Sequence, residues 1–415
     1  MTRDPRQSAG LQPPIVAGIV TALVGFTSSF AVVLQGLRAV GATESQAASG
    51  LFAITIGFAI LILFVAMRTR LPITFAWSTP GAALLVATGT VEGGWAAAVG
   101  AFGITGGLIV LAGAVPAIGR FVARIPASLA QAMLAGVLVQ LCVAPIAALA
   151  TIPLLVLPVI AVWLVIARFF ARWAVPAALV AALIVIAVVL TAEGTPVPLA
   201  AAIPTLEFTV PTLTWQAAIG IALPLFIVTM ASQNIAGVAV LSSLNVTVPW
   251  RLSIVGSGIG TMLTSIFGGH AMNLAAISAA LAAGEEAGER SKRWIAAITA
   301  GIAYLVLGLC SGLLVAVLSV APEGLIETVA GLALLSTFAS ALVAAVSDPR
   351  HRISAAVTFL VAASGLSIIG ISGAFWALVA GLLVRAVLER GSGTPRTEAV
   401  VPLDPEDPAA PSTSR

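Results

Sequence analysis

The chain has 415 residues, of which 60% are hydrophobic and only 8% charged, and its mean hydropathy is +1.13. A soluble domain carries about 25% charged residues, so this composition excludes an ordinary soluble protein and predicts a polytopic membrane protein. The formal net charge of +3 requires no nucleic acid partner, because basic cytoplasmic loops account for it.

The sequence shows no sign of enzymatic or metal chemistry. It has no Gly-rich nucleotide-binding loop, no HExxH zinc motif and no GxSxG serine elbow. Its two cysteines, Cys142 and Cys310, fall inside apolar stretches, where cysteine is usually a small buried hydrophobe. We therefore expect no catalytic residue, no metal and no cofactor.

Fourteen apolar windows are predicted to cross the bilayer, for which a helix needs about 20 residues. A short cytoplasmic tail, 1–12, precedes the windows, and residues 116–125 are predicted to form a short helix on the membrane surface. The windows cover about residues 13–36, 44–66, 72–91, 94–115, 126–147, 150–168, 173–191, 215–242, 249–264, 265–284, 293–318, 324–346, 352–370 and 372–389.

The distribution of charge supports this count. With the N-terminus in the cytoplasm, 18 of the 19 Lys and Arg residues fall on the cytoplasmic side, and only Arg38 falls opposite. A wrong number of spans would break this alternation, so the positive-inside rule predicts two cytoplasmic termini. The tail 391–415 is rich in Pro, Ser, Thr and acidic residues, a composition typical of a disordered segment.

The two halves of the chain resemble each other. Phe26 and Phe226 are 200 residues apart, and Trp95 and Trp294 are 199 apart. Such matches predict two repeats of seven spans, and an odd number inverts the second repeat in the membrane. The predicted units are a first repeat over 13–191, an external connector over 192–213 and a second repeat over 214–390.

The third span is predicted to begin as extended chain. Residues 73–81 read Ile-Thr-Phe-Ala-Trp-Ser-Thr-Pro-Gly, and β-branched and aromatic residues favour extended backbone. Thr79 followed by Pro80 is a typical helix start, with a hydroxyl N-cap and a proline in the first turn. We therefore predict a half-helix over 80–91 that starts in the middle of the membrane.

The tenth span is predicted to have the same plan from the opposite side. Gly268 and Gly269 free the backbone, His270 follows them, and a helix is expected over 274–283. Two half-helices would then direct their positive N-terminal ends at one point near the midplane, which favours an anion. A structural kink in each span is the alternative interpretation.

Polar side chains inside the first and eighth spans are further candidates. Ser232, Gln233 and Asn234 are consecutive, and polar groups in a span are costly unless they are paired. Such residues contact either a substrate or a neighbouring helix, and the sequence leaves both roles open. The matching patch in the first span consists of Thr27, Ser28, Ser29 and Gln35.

His270 is the candidate proton carrier. No Asp or Glu falls in the middle of a predicted span, and the second histidine, His351, lies in a charged loop. Opposite charges attract, so we expect a substrate anion and a proton on His270 to enter together. A neutral histidine that only donates a hydrogen bond is the alternative.

Three segments, 73–81, 232–237 and 267–273, resemble the bacterial benzoate–proton symporters of the benzoate membrane transport family, and the resemblance covers nearly all of 13–389. The chain is more distantly similar to uracil–proton and nucleobase–ascorbate transporters. The resemblance implies a bacterial inner membrane protein in which a core domain, 13–115 and 214–318, moves like an elevator against a gate domain, 126–191 and 322–390. It also admits a homodimer through the gate domains.

The departure from the nucleobase branch bears on the substrate. There, acidic residues in the eighth and tenth spans hold the base, whereas residues 232–234 and 268–270 here contain none. The resemblance thus implies a carboxylate site, with the rings of Phe75, Trp77 and Phe267 available to an aromatic ring. The full predicted site is Phe75, Ala76, Trp77, Ser78, Thr79, Gln233, Asn234, Phe267, Gly268, Gly269, His270 and Asn273.

Together these features predict an all-α secondary transporter that imports benzoate or a related aromatic carboxylate with a proton. Its expected partners are that substrate, the proton and the lipid bilayer. An anion exchanger, or an uncoupled anion or nucleobase transporter on the same fold, is one alternative. A membrane-embedded enzyme or scaffold is the other.

Overall fold

A computed structural model describes residues 10–115, 117, 126–198 and 202–389, which are mostly helical. The predicted surface helix at 116–125, apart from Ala117, and nearly all of both predicted tails lie outside these residues. The helices are α1 (Gln12–Thr27), α2 (Phe30–Ala39), α3 (Glu44–Thr69), α4 (Thr79–Thr88), α5 (Gly94–Ala114), α6 (Ala127–Thr151), α7 (Pro153–Phe169), α8 (Ala174–Glu193), α9 (Trp215–Ser243), α10 (Trp250–Ser265), α11 (Ala276–Ala283), α12 (Arg293–Leu318), α13 (Leu325–Val346), α14 (Arg352–Ala363) and α15 (Gly373–Leu388).

Eight helical segments within the described residues are long and apolar enough to cross a membrane. They contain α1 with α2, and then α3, α5, α6, α8, α9, α12 and α13. Three further helices are apolar but shorter: α4 with 10 residues, α7 with 17 and α15 with 16. The chain is therefore a polytopic helical membrane protein, while the count of fourteen spans stays a prediction.

Two of the long segments depart from regular α-helix. The first is interrupted at Ser28 and Ser29, between α1 and α2. Within α9, residues Ala218–Ala222 and Thr229–Asn234 form π-helical turns, a geometry often found at functional sites. The second π-helical turn holds the predicted candidates Gln233 and Asn234.

The two extended segments pair with each other, so the prediction of an all-α protein needs a correction. Strand β1 (Phe75–Trp77) and strand β2 (Met272–Leu274) form an antiparallel ladder in which Ala76 faces Asn273. The ladder continues at both ends, where Ser78 N donates to Ala271 O at 2.8 Å and Ala275 N donates to Thr74 O at 3.1 Å. Extended backbone inside a membrane needs such partners, because no water is available to it.

The glycine pair forms the C-terminal cap of α10, a role that the sequence analysis did not assign to it. Gly268 has a φ of +92°, its N–H donates to Ser265 O at 2.7 Å, and the N–H of Gly269 donates to Thr264 O at 2.9 Å. This is the Schellman pattern of a helix C-terminus. The second half-helix starts at Ala276 rather than at the predicted residue 274, and five residues lie between His270 and its start.

Close glycine contacts hold the neighbouring helices against the broken segments. A Cβ atom on Gly36 in α2 would lie 2.5 Å from Ala82 O in α4. A Cβ atom on Gly50 in α3 would lie 2.5 Å from Gly268 O. Only glycine permits these approaches, so α2 and α3 fix the positions of the segments that carry the predicted site.

Candidate functional site

Ser78 connects the broken segments to one another and to α9. Its hydroxyl oxygen accepts hydrogen bonds from Gly81 N at 3.1 Å and from Thr229 Oγ1 at 2.9 Å. Its carbonyl oxygen accepts from Ala82 N at 2.8 Å and lies 3.1 Å from His270 Nε2. Ser78, rather than the predicted Thr79, is therefore the N-cap of α4.

His270 is fully buried against this cap. A carbonyl oxygen only accepts hydrogen bonds, so the contact with Ser78 O requires the proton of the neutral imidazole to sit on Nε2. The other ring nitrogen, Nδ1, is buried without a partner among the described residues. Nδ1 is therefore the atom to which a second proton would bind, through its lone pair.

The two asparagines of the predicted site are buried, and each bonds to the second broken segment. Asn234 Oδ1 accepts from Leu274 N at 2.9 Å, so α9 binds the free edge of β2. On α10, Thr261 Oγ1 accepts from Met272 N at 2.9 Å. Asn273 Nδ2 donates to the adjacent Leu274 O at 2.8 Å. These polar residues support the extended backbone, which is the helix-contact role that the sequence left open.

The three aromatic residues of the predicted site do not line a common cavity. Phe75 and Trp77 are buried; Trp77 donates from Nε1 to Ser29 Oγ at 2.8 Å, and its ring centroid lies 5.4 Å from that of Phe26. Phe267 instead lines an apolar cavity of about 520 Å³ between α3 and α10. Neither face of the Phe75 or Trp77 ring is thus open to a ligand in this structure.

The two half-helices differ at their N-termini. Ser78 caps α4, whereas Ala275, at the N-cap position of α11, offers no side-chain acceptor. The helices also leave the strand pair from opposite ends. Ser78 lies opposite Ala271, four residues before Ala275, so the two N-cap positions are about 14 Å apart along the strands at 3.4 Å per residue. Because no described side chain caps α11, its first N–H groups can bond to a ligand.

A polar cavity of about 360 Å³ adjoins this uncapped end. On one wall are Ile277, in the first turn of α11, and Gln233 of α9. The opposite wall comes from α6 and α13, and the complete lining is Gln131, Leu134, Ser232, Gln233, Ile277, Ser336, Thr337, Ser340, Ala341 and Ala344. The cavity reaches Ala344, two residues before the end of α13; Arg350 and Arg352 follow beyond that end.

The structure brings only part of the predicted site to this cavity. Gln233 lines it, Ala76 and Thr79 are half-buried, and Ser78, Gly268, Gly269, His270 and Asn273 are buried. Sequence reasoning missed Gln131 and the hydroxyls of α13, although polar residues that recur inside an apolar span were a usable signal. No group of three or more His, Cys, Asp or Glu that could hold a metal ion occurs among the described residues.

The matching family and two similar relatives are all membrane proteins. The sequence model of the family described as benzoate membrane transport protein matches residues 10–387. The chain is 37% identical to the inner membrane protein YdcO of Escherichia coli over 91% of this chain and 96% of that protein. It is 30% identical to the benzoate membrane transport protein of Acinetobacter baylyi over 90% of this chain and 94% of that protein.

Two solved structures share the fold. The transmembrane domain of a cyanobacterial bicarbonate transporter, BicA, matches with a TM-score of 0.58 at 18% identity, over 90% of this chain and 97% of that chain. The structure of SLC26A9 matches with a TM-score of 0.59 at 12% identity, over 91% of this chain and 66% of that chain. These are not the uracil and nucleobase transporters that the sequence had suggested as distant relatives.

Replacing Asn234 with leucine should destabilise the protein. The Asn234→Leu variant leaves the buried N–H of Leu274 without its acceptor, which costs about 1–3 kcal/mol. The matched control is Gln233→Leu, because the Gln233 amide has no partner among the described residues. Thermal unfolding of the ligand-free protein in detergent should show a lower melting temperature for Asn234→Leu only. Equal melting temperatures would contradict the structural role of Asn234.

Proposed function

This chain belongs to the benzoate membrane transport protein family, and we propose that it imports benzoate or a related aromatic carboxylate together with a proton. Its relatives are named as membrane transport proteins, and we take this chain to be a transporter rather than an enzyme. We place it in the inner membrane with both termini in the cytoplasm. The enzyme or scaffold alternative has no supporting observation among the described residues.

The observation that carries the proposal is the uncapped start of α11 beside the polar cavity. The N-terminus of a helix has free N–H groups and a partial positive charge, and both attract a carboxylate. The Gln233 side chain, on the same wall, can donate a further hydrogen bond. No Asp or Glu lines the cavity to repel an anion.

The location of the cavity suggests how the substrate crosses the membrane. One wall comes from α9 and α11, which belong to the proposed core domain, 13–115 and 214–318. The other comes from α6 and α13, which belong to the proposed gate domain, 126–191 and 322–390. An elevator movement of the core past the gate would expose the same binding wall on the other side. The basic residues beyond α13 suggest that the cavity faces the cytoplasm here.

We assign proton coupling to His270. Among the described residues, the buried ionisable side chains are His270, Arg293, Tyr304 and Cys142. Arg293 bonds to the carbonyl oxygens of Gly288 and Ala283, so it serves the C-terminus of α11. Nδ1 of His270 has no partner among the described residues. Its Nε2 lies 3.1 Å from Ser78 O at the cap of α4, so the charge state of His270 can influence that half-helix.

An anion exchanger on the same fold is the second candidate. The burial of His270 away from the cavity favours it, because a proton would reach Nδ1 only after a rearrangement. Exchange and symport differ in what drives net uptake, and the next experiment separates them.

The purified protein in liposomes should take up radiolabelled benzoate faster when the outside is more acidic than the inside. A proton that moves with the anion makes the gradient a driving force, and a protonophore should remove the stimulation. Benzoic acid crosses lipid without a carrier, so the measurement is the initial rate above that of protein-free liposomes. Benzoate-for-benzoate exchange without any effect of the gradient would instead support the exchanger.

The His270→Gln variant should lose gradient-driven uptake and keep benzoate exchange. The glutamine amide can still donate to Ser78 O, but it cannot take up a proton. The His270→Ala variant loses the donor as well and should also melt at a lower temperature. If uptake by His270→Gln remained fully driven by the gradient, His270 would not be the coupling group.

A further inference from the structure

The wall of the polar cavity that α13 contributes has a row of hydroxyl groups. Ser340 is four residues after Ser336 and three after Thr337, so it neighbours both on the surface of α13. All three residues line the cavity. We call these three residues the α13 hydroxyl row. They face the wall formed by Gln233 and the first turn of α11, across the space proposed to hold the substrate.

These hydroxyls have no hydrogen-bond partner in the described part of the chain, which is unusual for hydroxyls on apolar helices. A serine or threonine in a helix commonly donates to the carbonyl oxygen three or four residues earlier. Thr328 on the same helix does so, with its hydroxyl 2.7 Å from Gly324 O. Ser232 on the facing wall does so as well, at 2.6 Å from Val228 O. The hydroxyl row makes no hydrogen bond to any described residue.

The row also lies where free hydroxyl groups are costly. Ser336 is eleven residues after Leu325 and ten before Val346, so it is at the middle of α13. Polar groups at this depth normally face a partner or a polar cavity. Gln131 of α6 adds an amide that likewise has no partner among the described residues. No lining residue is charged, so this wall suits a neutral polar group better than a second carboxylate.

We infer that the α13 hydroxyl row recognises a hydrogen-bonding substituent on the aromatic ring, so that the preferred substrate is a ring-hydroxylated aromatic carboxylate. The inference rests on the proposed function: the carboxylate binds at α11, and the ring extends toward α13. A cavity of about 360 Å³ is within the range of small-molecule sites. A bare ring against this wall would leave its hydroxyls unpaired, and a site built to bond a hydroxyl discriminates against a ligand that lacks one.

The test compares ligands that differ only in this substituent. Para- and meta-hydroxybenzoate are measured against the methylbenzoates of the same shape, by competition with radiolabelled benzoate on the purified protein. At one position or both, the hydroxyl compound should bind about three- to tenfold more tightly than its methyl analogue. This comparison uses the wild-type protein and does not depend on any variant folding.

Variants then assign the selectivity to the row. Thr337→Val and Ser340→Ala should reduce the ratio of hydroxyl to methyl affinity toward one. The matched control, Thr328→Val, alters a hydroxyl on the same helix that is already bonded and should keep the wild-type ratio. Equal affinities in the wild type, or variants that weaken both ligands equally, would overturn the inference and identify the row as a water-binding surface. Failure to bind any aromatic carboxylate would overturn the proposed function and this inference with it.

Discussion

The structure depends on satisfying the backbone of two extended segments inside a membrane. Each unpaired N–H or C=O there would cost several kcal/mol. The segments pair with each other through β1 and β2, and side chains of the neighbouring helices bond the outer edge of β2. Asn234 and Thr261 accept its N–H groups, while Ser78 connects β1, α4, α9 and His270. Most polar residues of this region thus support the backbone.

Against this background, the uncapped start of α11 is an exception. The N-terminus of α4 has a side-chain cap, and Arg293 bonds the C-terminal end of α11 at Ala283 O. The first turn of α11 has no such side chain and borders the polar cavity. The two half-helices are therefore not equivalent, and the proposal assigns the carboxylate to the second. In the proposal, His270 is coupled to the carboxylate site through the strand pair and through Ser78, whose carbonyl oxygen lies 3.1 Å from His270 Nε2.

Apolar pattern alone located the regular helices well. The predicted window 94–115 became Gly94–Ala114, and 173–191 became Ala174–Glu193. Breaks in the third and tenth spans were also visible, because proline and paired glycines limit helix formation. The role of Gly268 and Gly269 could not be predicted, since a C-cap is defined by where the preceding helix ends. The prediction assigned both glycines to the tenth span, whereas they cap the helix before it.

Side-chain direction was the harder problem. Phe75 and Trp77 alternate with Ala76 along a strand, and only the packing of α1 and α3 decides which face is buried. Gln233 and Asn234 are adjacent, yet one lines the cavity and the other bonds β2. The hydroxyl row of α13 contacts a site formed by helices more than fifty residues away in sequence. Which distant helices line the same cavity depends on tertiary structure, and the spacing of apolar residues along the sequence does not reveal it.

The most direct test of the account is a structure of the protein with benzoate bound, determined by electron cryomicroscopy in lipid nanodiscs. The account predicts carboxylate density within hydrogen-bonding distance of the first-turn N–H groups of α11, about 3 Å, beside the Gln233 side chain. Benzoate found instead in the apolar cavity at Phe267, with the first turn of α11 unoccupied, would contradict the account.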